Sequence, residues 1–570
     1  MYTRRWATSP REYGVTVDRG VKIQMPDGVR LDADIYRPSV AGKFPVILGI
    51  SPYPHHHQSA PMRPVGFTGV RANQESGDPT YFVRRGYVHA VVNLRGSGES
   101  EGFFQFTGPL DVQDTANVIA WLAEQAWSTG NVATFGVSYF AKMAKAVAAT
   151  NPPALKTIFA PYSANDWYRG IWYHGGILSA RFLWHWRHSP YKLKFQSLVR
   201  EQQGEQAWRE GLRRIRDDEE LWLTPGVQEA AADTDYPPNQ LYLDLLMNPL
   251  DGPFWWERNV DEEPGNIPAF LGACWGNYGV HLEGIWRAHD AWKGPKKLVI
   301  GPPVYLDRPL YQLQPEALRW FDQFLKGNDC EGLEDPPIRC FMMGTGRYET
   351  PADWPPPEAR WTTFYLHDGG VLSEHELWPG EGADTIDESP FEHGEVTYMT
   401  PPIVEPTDVL GPSVLTLYLE CTGPEALLFV TLLHVDSAGN ETRLTRGWLR
   451  ASQRAVKEDS PIWAPYQLHT KREPLEPGDV YELKIPIVPT ARHFAVGERL
   501  AVRIKGSDLE APVTSLEGLA HQHLRLPRAH RLIVHHSGEY PSHLDVPIIR
   551  GNLMGTFFSG GDLSVFEYRT

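Results

Sequence analysis

The chain reads as an α/β protein in which a parallel sheet covered by helices is interrupted by a helical insertion and followed by a β-rich C-terminal domain. Three observations predict this. Short apolar runs at 44–50 and 86–92 alternate with amphipathic stretches such as 111–125, as expected of strands buried on both faces between helices. Residues 166–259 hold eight of the chain's 20 Trp among helical segments such as FQSLVREQQGEQAWREGLRRIR, which suits an inserted cap. From about residue 350 onward short strand-like runs (WTTFYLHDG, VLTLYLEC, VYELKIPIV, ERLAVRIKGS, HRLIVHH) follow one another with few helical stretches, the pattern of a jelly-roll β-sandwich.

The elements follow in order. VKIQMPDGVRLDADIYRP alternates apolar and polar residues around Pro26, Asp27 and Gly28, a hairpin signal. FPVILGI (44–50), GYVHAVV (86–92) and VATFG (132–136) are buried strands, the last running into the helical AKMAKAVAA. After the cap, IPAFLGACW (267–275) and KKLVIG (296–301) return to strand character, and EALRWFDQFLKG is a helix. The expected division is residues 1–165 as the first portion of the core, 166–259 as the cap, 260–349 as the second portion of the core and 350–570 as a jelly-roll sandwich.

Composition narrows the function. With 42% hydrophobic and 22% charged residues the chain buries large cores. A net charge of −16 repels polyphosphates and anionic lipid, so neither nucleic acid nor a membrane is an expected partner. No window approaches the roughly 18 apolar residues of a membrane span. The four cysteines are scattered without a CxxC pair, which predicts no disulfide scaffold, no zinc site and a reducing, cytoplasmic setting. No cofactor or metal is expected, and a homo-oligomer is left open.

The chemistry-bearing motif is Gly136-Val137-Ser138-Tyr139-Phe140-Ala141, a serine between an apolar strand and a helix. A sharp strand-to-helix turn needs small neighbours to lift the hydroxyl clear of the sheet, and the helix N-terminus behind it favours a developing oxyanion. Phe140 fills the last position of the strict G-x-S-x-G pentapeptide. Taken alone, the element fits a nucleophile and a helix cap equally.

Here the chain resembles the family of cocaine esterase and the X-prolyl dipeptidyl aminopeptidases, α/β-hydrolases with a helical cap and a C-terminal jelly roll. The resemblance rests on MPDGVRLDADIYRP, SPY (51–53), NLRGSGESEG (93–102), WLAEQAWSTGNVATFGVSY (121–139), FDQFLKG (321–327) and LTRGWLRASQR (444–454), in this order. It implies a nucleophile at Ser138 and oxyanion donors at the backbone N–H of Tyr139 and the phenol of Tyr53. Tyr53 follows the strand 44–50, so its side chain can reach the top of the sheet near Ser138.

The pattern breaks at the other two members of a serine triad. The family's acid lies in a W-Y-D motif, where this chain reads Trp275-Gly276-Asn277; its histidine lies in G-P-W-x-H, where this chain reads Gly301-Pro302-Pro303-Val304-Tyr305. Two candidates remain for the base. Tyr305 would need a cation such as Arg308 to lower its pKa, and His281, four residues past Asn277, would approach Ser138 from the acid side, with Glu283 or Asp307 as its partner. His55, His56 and His57 follow Tyr53 without ligand spacing and are expected in a solvated or rim loop. Asn93 also stands where the family has an acid, and Arg95 and Asp114 are expected to brace loops near the elbow.

Trp167 and Trp172, with Tyr168, Tyr173, Trp184 and Trp186, would suit a bulky apolar acyl or leaving group, or form the cap's own core; Trp275 joins them as a pocket candidate. The expected function is a serine-dependent hydrolase of a small ester or amide, a carboxylesterase or X-Pro dipeptidyl-peptidase-like enzyme, working through an acyl-enzyme on Ser138. The alternative is a hydrolase-fold protein with a degraded triad that binds a hydrophobic small molecule or catalyses a non-hydrolytic reaction.

Overall fold

The computed structural model describes residues 7–552 apart from 56–74, 181, 183–192, 225–226, 228–239, 261–263, 304–308, 331–333, 377–381 and 509–522. The chain opens on an antiparallel hairpin. β1 (Val15–Gln24) pairs with β2 (Arg30–Pro38), with Gln24 opposite Arg30 across the turn. Gly28 supplies the φ of +89° that this turn takes.

The core strands are β3 (Phe44–Ser51), β4 (Val88–Asn93), β5 (Ser128–Phe135), β6 (Leu155–Pro161), β7 (Ala269–Cys274), β8 (Lys296–Gly301), β9 (Ile338–Met342) and β10 (Arg347–Glu349). With the hairpin they form one ten-stranded sheet in the order β1-β2-β4-β3-β5-β6-β7-β8-β9-β10. From β4 to β9 every neighbouring pair is parallel. Such a sheet needs cover on both faces. α1 (Pro109–Glu124) and α2 (Tyr139–Ala149) bury Val118, Ile119, Leu122, Met143 and Val147 with Val46, Leu48 and Val92. A later helix, Pro309–Lys326, buries Leu318, Trp320, Phe321 and Leu325 with Phe135, Phe159 and Phe270.

The insertion after β6 carries α3 (Leu198–Asp217) and α4 (Gln240–Met247), tied together where Ser197 Oγ donates to Asp244 Oδ1 at 2.6 Å and Leu198 N–H to Asp244 Oδ2 at 2.6 Å. Burial, against these bonds, pushes the Asp244 carboxyl up to about 7. A short ribbon, Tyr173–His174 against Ile177–Leu178, precedes them.

Among the described residues the C-terminal region forms a second sheet, of eleven strands. Its strands include β11 (Thr407–Cys421), β12 (Leu427–Val435), β13 (Glu441–Arg450), β14 (Val480–Phe494) and β15 (Arg499–Lys505). The last strand, His543–Arg550, pairs with both Arg360–His367 and β11, which closes the sheet around an aliphatic core of Leu415, Leu417, Leu432, Leu483, Ile485 and Val502. The fold is therefore an α/β-hydrolase core with a helical cap and a β jelly-roll domain. The jelly roll is seated on the rest of the chain by backbone bonds: Met343 N–H donates to Ala491 O and His493 N–H to Met343 O, Arg450 N–H reaches Gly175 O, and Leu524 N–H reaches Leu178 O. Among the described residues no helix is long and apolar enough to cross a membrane.

Candidate active site

Ser138 stands at the end of β5, on the turn into α2, with φ +58° and ψ −121°. A non-glycine residue holds such a conformation only where its surroundings enforce it. Ser138 N–H donates to Tyr162 O at 2.9 Å and Val137 N–H to Glu75 O at 2.9 Å. A Cβ on Gly136 would lie 2.4 Å from Phe140 Cβ and 2.9 Å from Glu75 O, so glycine is required there. Phe140, the residue that departs from the pentapeptide, fits over Gly49, where a Cβ would meet its ring at 3.3 Å. Two buried lysines then anchor the helix: Lys142 Nζ donates to Ala164 O at 2.8 Å and Lys145 Nζ to Asn165 Oδ1 at 2.6 Å.

Facing the hydroxyl is His281. Its Nε2 lies 3.2 Å from Ser138 Oγ, and its Nδ1 lies 2.9 Å from the side-chain amide of Asn277. The backbone sets this pair, because Val280, His281 and Leu282 all donate their N–H to Asn277 O and wind the chain tightly over it. Burial pushes the His281 imidazole down to about 3. Glu283, considered as an acid partner, instead forms a two-bond pair with Arg287 at 2.8 and 3.1 Å. Tyr305, Asp307 and Arg308 lie outside the described residues.

On the other side of the elbow Tyr139 is the first helical residue, so its N–H has no acceptor within the helix. Its phenol points into packing, where Thr107 Oγ1 donates to it at 2.8 Å and Trp167 Nε1 donates to Thr107 at 3.2 Å. Burial pushes that phenol well above its ordinary range. Tyr53 is 8% exposed, and its ring packs on those of Tyr139 and Phe140 at 6.1 and 6.3 Å. Asn93 Nδ2 donates to Tyr53 O at 2.8 Å, a bond that the family's carboxylate could not make.

The expectation of a solvated histidine loop is corrected for His55. Its Nε2 lies 2.6 Å from Asp32 Oδ2 and its Nδ1 3.4 Å from Asp34 Oδ2, with the side chain 12% exposed. The two-residue period of β2 puts both carboxylates on one face, where Lys22 and Arg19 also pair with them. Against burial, the two carboxylates raise the His55 imidazole. His56 and His57 lie outside the described residues. Arg95 bridges Asp114 (2.8 Å) and Asp27 (2.7 Å) across the turn after β4.

Trp167, Trp172 and Trp275 are 4%, 0% and 1% exposed. Trp167 stacks on Phe106 at 4.9 Å, and Trp275 Nε1 donates to Phe341 O at 2.6 Å. Trp184 and Trp186 lie outside the described residues. A cavity of about 370 Å³ opens between the segment after His281 and the jelly roll, lined by Arg169, Glu283, Trp286, Arg287, Trp463 and Tyr466 among others; Ser138, His281, Tyr53 and the three candidate tryptophans are not in its lining. Among the described residues no group of three His, Cys, Asp or Glu is placed to hold a metal ion.

Sequence reasoning missed Glu75, whose carbonyl braces the elbow, and the contact of His174 with His523, which joins positions 349 residues apart. Neither has a local signal.

A strained serine on a strand-to-helix turn facing a histidine, on this sheet, defines the class of serine hydrolases of the α/β-hydrolase fold. Residues 27–304 match the family profile described as X-Pro dipeptidyl-peptidase (S15 family), and residues 332–545 that of the X-Pro dipeptidyl-peptidase C-terminal non-catalytic domain. The chain is a relative of cocaine esterase and the X-Pro dipeptidyl-peptidases, and it is a hydrolase of ester or amide bonds. It is 26% identical to the cocaine esterase of Rhodococcus sp. (strain MB1 Bresler) over 608 residues, covering 94% of this chain and 99% of that one. In structure it is similar to a CocE/NonD family hydrolase from Staphylococcus aureus, with a TM-score of 0.76, 24% identity and 94% of each chain covered. An alpha-amino acid ester hydrolase is similar too, with a TM-score of 0.73, 17% identity and coverage of 96% and 98%.

Proposed function

We propose that the chain cleaves a small ester or amide through an acyl-enzyme on Ser138, with His281 as base and Asn277 as its orienting partner. The observation that carries this is the 3.2 Å approach of His281 Nε2 to Ser138 Oγ with Asn277 on the opposite ring nitrogen. In the first step Oγ attacks the substrate carbonyl and its proton passes to Nε2; the tetrahedral oxyanion is held by the Tyr139 N–H and the Tyr53 phenol. Collapse expels the leaving group, which takes the proton from Nε2, and water repeats the sequence to release the acid. Trp167 and Trp172 pack beside α2, with Trp167 5.6 Å from the Tyr139 ring, and their burial at 4% and 0% exposure supports a role in backing the elbow from within the core. The thiol state of the four cysteines, all buried, supports a cytoplasmic setting, and the charge of −16 supports a neutral or cationic small substrate over nucleic acid or membrane.

A fluorophosphonate probe tests the reading. Ser138 becomes covalently modified, found by peptide mass analysis, and Ser138→Ala abolishes both the adduct and turnover. An inert Ser138 would instead favour a protein that binds a hydrophobic small molecule or runs a non-hydrolytic reaction, a second reading favoured by the amide at Asn277 and the weakly basic His281. Tyr53→Phe is expected to lower kcat by about 10 to 1000-fold with a smaller change in KM, because a phenol donor acts on the tetrahedral state. A rise in KM at constant kcat would limit Tyr53 to shaping the pocket.

A further inference from the structure

His174 lies in the short ribbon before the cap helices, and both its ring nitrogens are engaged. Nε2 stands 2.9 Å from Gly279 O and 3.1 Å from Gly170 O, and Nδ1 stands 2.8 Å from His523 Nε2. His523 Nδ1 in turn lies 2.6 Å from Asp508 Oδ2, whose other oxygen accepts from Arg446 on β13 at 2.7 Å. All four side chains are buried, His174 and Arg446 being 1% exposed and Asp508 2%. Trp448, also on β13, stacks on the His174 ring at 4.7 Å.

The protons in this chain can be counted. Carbonyl oxygens only accept, so His174 Nε2 carries hydrogen. Asp508 is a carboxylate, held far below the ordinary range by Arg446 and His523 against the cost of its burial, so His523 Nδ1 carries hydrogen as well. The 2.8 Å contact between the rings needs a third. Three hydrogens on four nitrogens make the pair one imidazolium and one neutral imidazole, with Asp508 as counter-ion.

The far end of the chain is Gly279 O, in the middle of the turn whose two ends are Asn277 and His281. A direct bond from β13 also reaches that turn, where Arg443 donates to Tyr278 Oη at 3.2 Å. The geometry points to His174 as a positioning residue for catalysis: through the buried Asp508–His523–His174 chain, the jelly roll holds Gly279 and so sets the distance of His281 from Ser138. This inference rests on Ser138 and His281 being the nucleophile and base. It makes the C-terminal domain a component of the working active site through hydrogen bonds as well as packing.

The test compares His174→Leu, which removes the donor to Gly279 O, with His174→Gln, whose amide can donate to Gly279 O and accept from His523. Rates of fluorophosphonate labelling at Ser138 and of nitrophenyl ester turnover are measured in the full chain, well below each melting temperature. In His174→Leu both rates fall by about 10 to 100-fold with KM within threefold of wild type, since a displacement of about 1 Å at a base has this cost. In His174→Gln both recover to within about threefold of wild type, a rescue that loss of packing alone would not show. If His174→Leu does not fold, Asp508→Asn carries the test, since it removes the counter-ion of the shared proton and should lower the labelling rate with KM unchanged. Wild-type labelling in the folded His174→Leu chain, in Asp508→Asn where that variant carries the test, or in His174→Gln a loss equal to that of leucine, overturns the inference. Failure of the wild-type chain to label overturns the assignment of Ser138 instead.

Discussion

His281→Ala lowers kcat toward a nitrophenyl ester by about 10² to 10⁴-fold, the range supplied by a positioned general base. Adding Ser138→Ala to it costs less than the product of the two single losses, because nucleophile and base act as one unit. The pH profile identifies the base. His281 works unprotonated, and burial pushes it down to about 3, so kcat/KM in the wild type stays level from neutral pH down to about pH 4, where an ordinary imidazole would fail near 6.5. The same burial sets the acid stability. The native His281 refuses a proton that the unfolded chain accepts below about 6.5, so stability falls as the pH drops from there toward 3, and His89, also pushed down to about 3 by burial, adds to the slope. A kcat/KM that falls with a midpoint near 6.5, or full activity in His281→Ala, would assign the base to another side chain.

Asn277→Asp is the change expected to raise activity most. With Nδ2 facing the ring at 2.9 Å, the amide donates to His281 Nδ1 and leaves the hydrogen on Nε2, the tautomer that cannot take a proton from Ser138. A half-turn of the amide about Cβ–Cγ fills the same space, presents Oδ1, and produces the working tautomer. An amide therefore serves both states, whereas a carboxylate only accepts and selects the productive one. The reverse exchange in a serine protease triad costs about 10⁴ in kcat, so a gain of about 10 to 10³-fold is expected here, with the acid limb of the pH profile moving up from about 3 toward the ordinary imidazole range. With His281 already 3.2 Å from the hydroxyl, the single change suffices. An unchanged kcat with an unchanged profile would show that the amide does not limit the reaction.

Much of the molecule is legible in local sequence. The Pro26-Asp27-Gly28 turn, the apolar runs of β3 to β5 and the small residues around Ser138 each follow from neighbours a few positions apart, because turn chemistry, strand burial and helix entry are local requirements. The strand-to-helix turn at Ser138 and the succession of parallel sheet, cap and jelly roll are legible in this way, whereas the departures at Asn277 and Tyr305 are read only against the motifs of the family the chain resembles. What only the tertiary structure decided are meetings between distant segments. Asp32 and Asp34 on β2 close on His55 although β4 separates β2 from β3 in the sheet, Glu75 braces the elbow through its carbonyl, and His523 reaches His174 across 349 positions. Even His281, four residues from Asn277, is aimed at Ser138 only because β5 and β7 lie on either side of β6 in one sheet and the turn over Asn277 O directs the ring inward. A buried imidazole takes its role and its proton affinity from whichever groups the fold brings within about 3 Å, and a linear pattern does not carry that information.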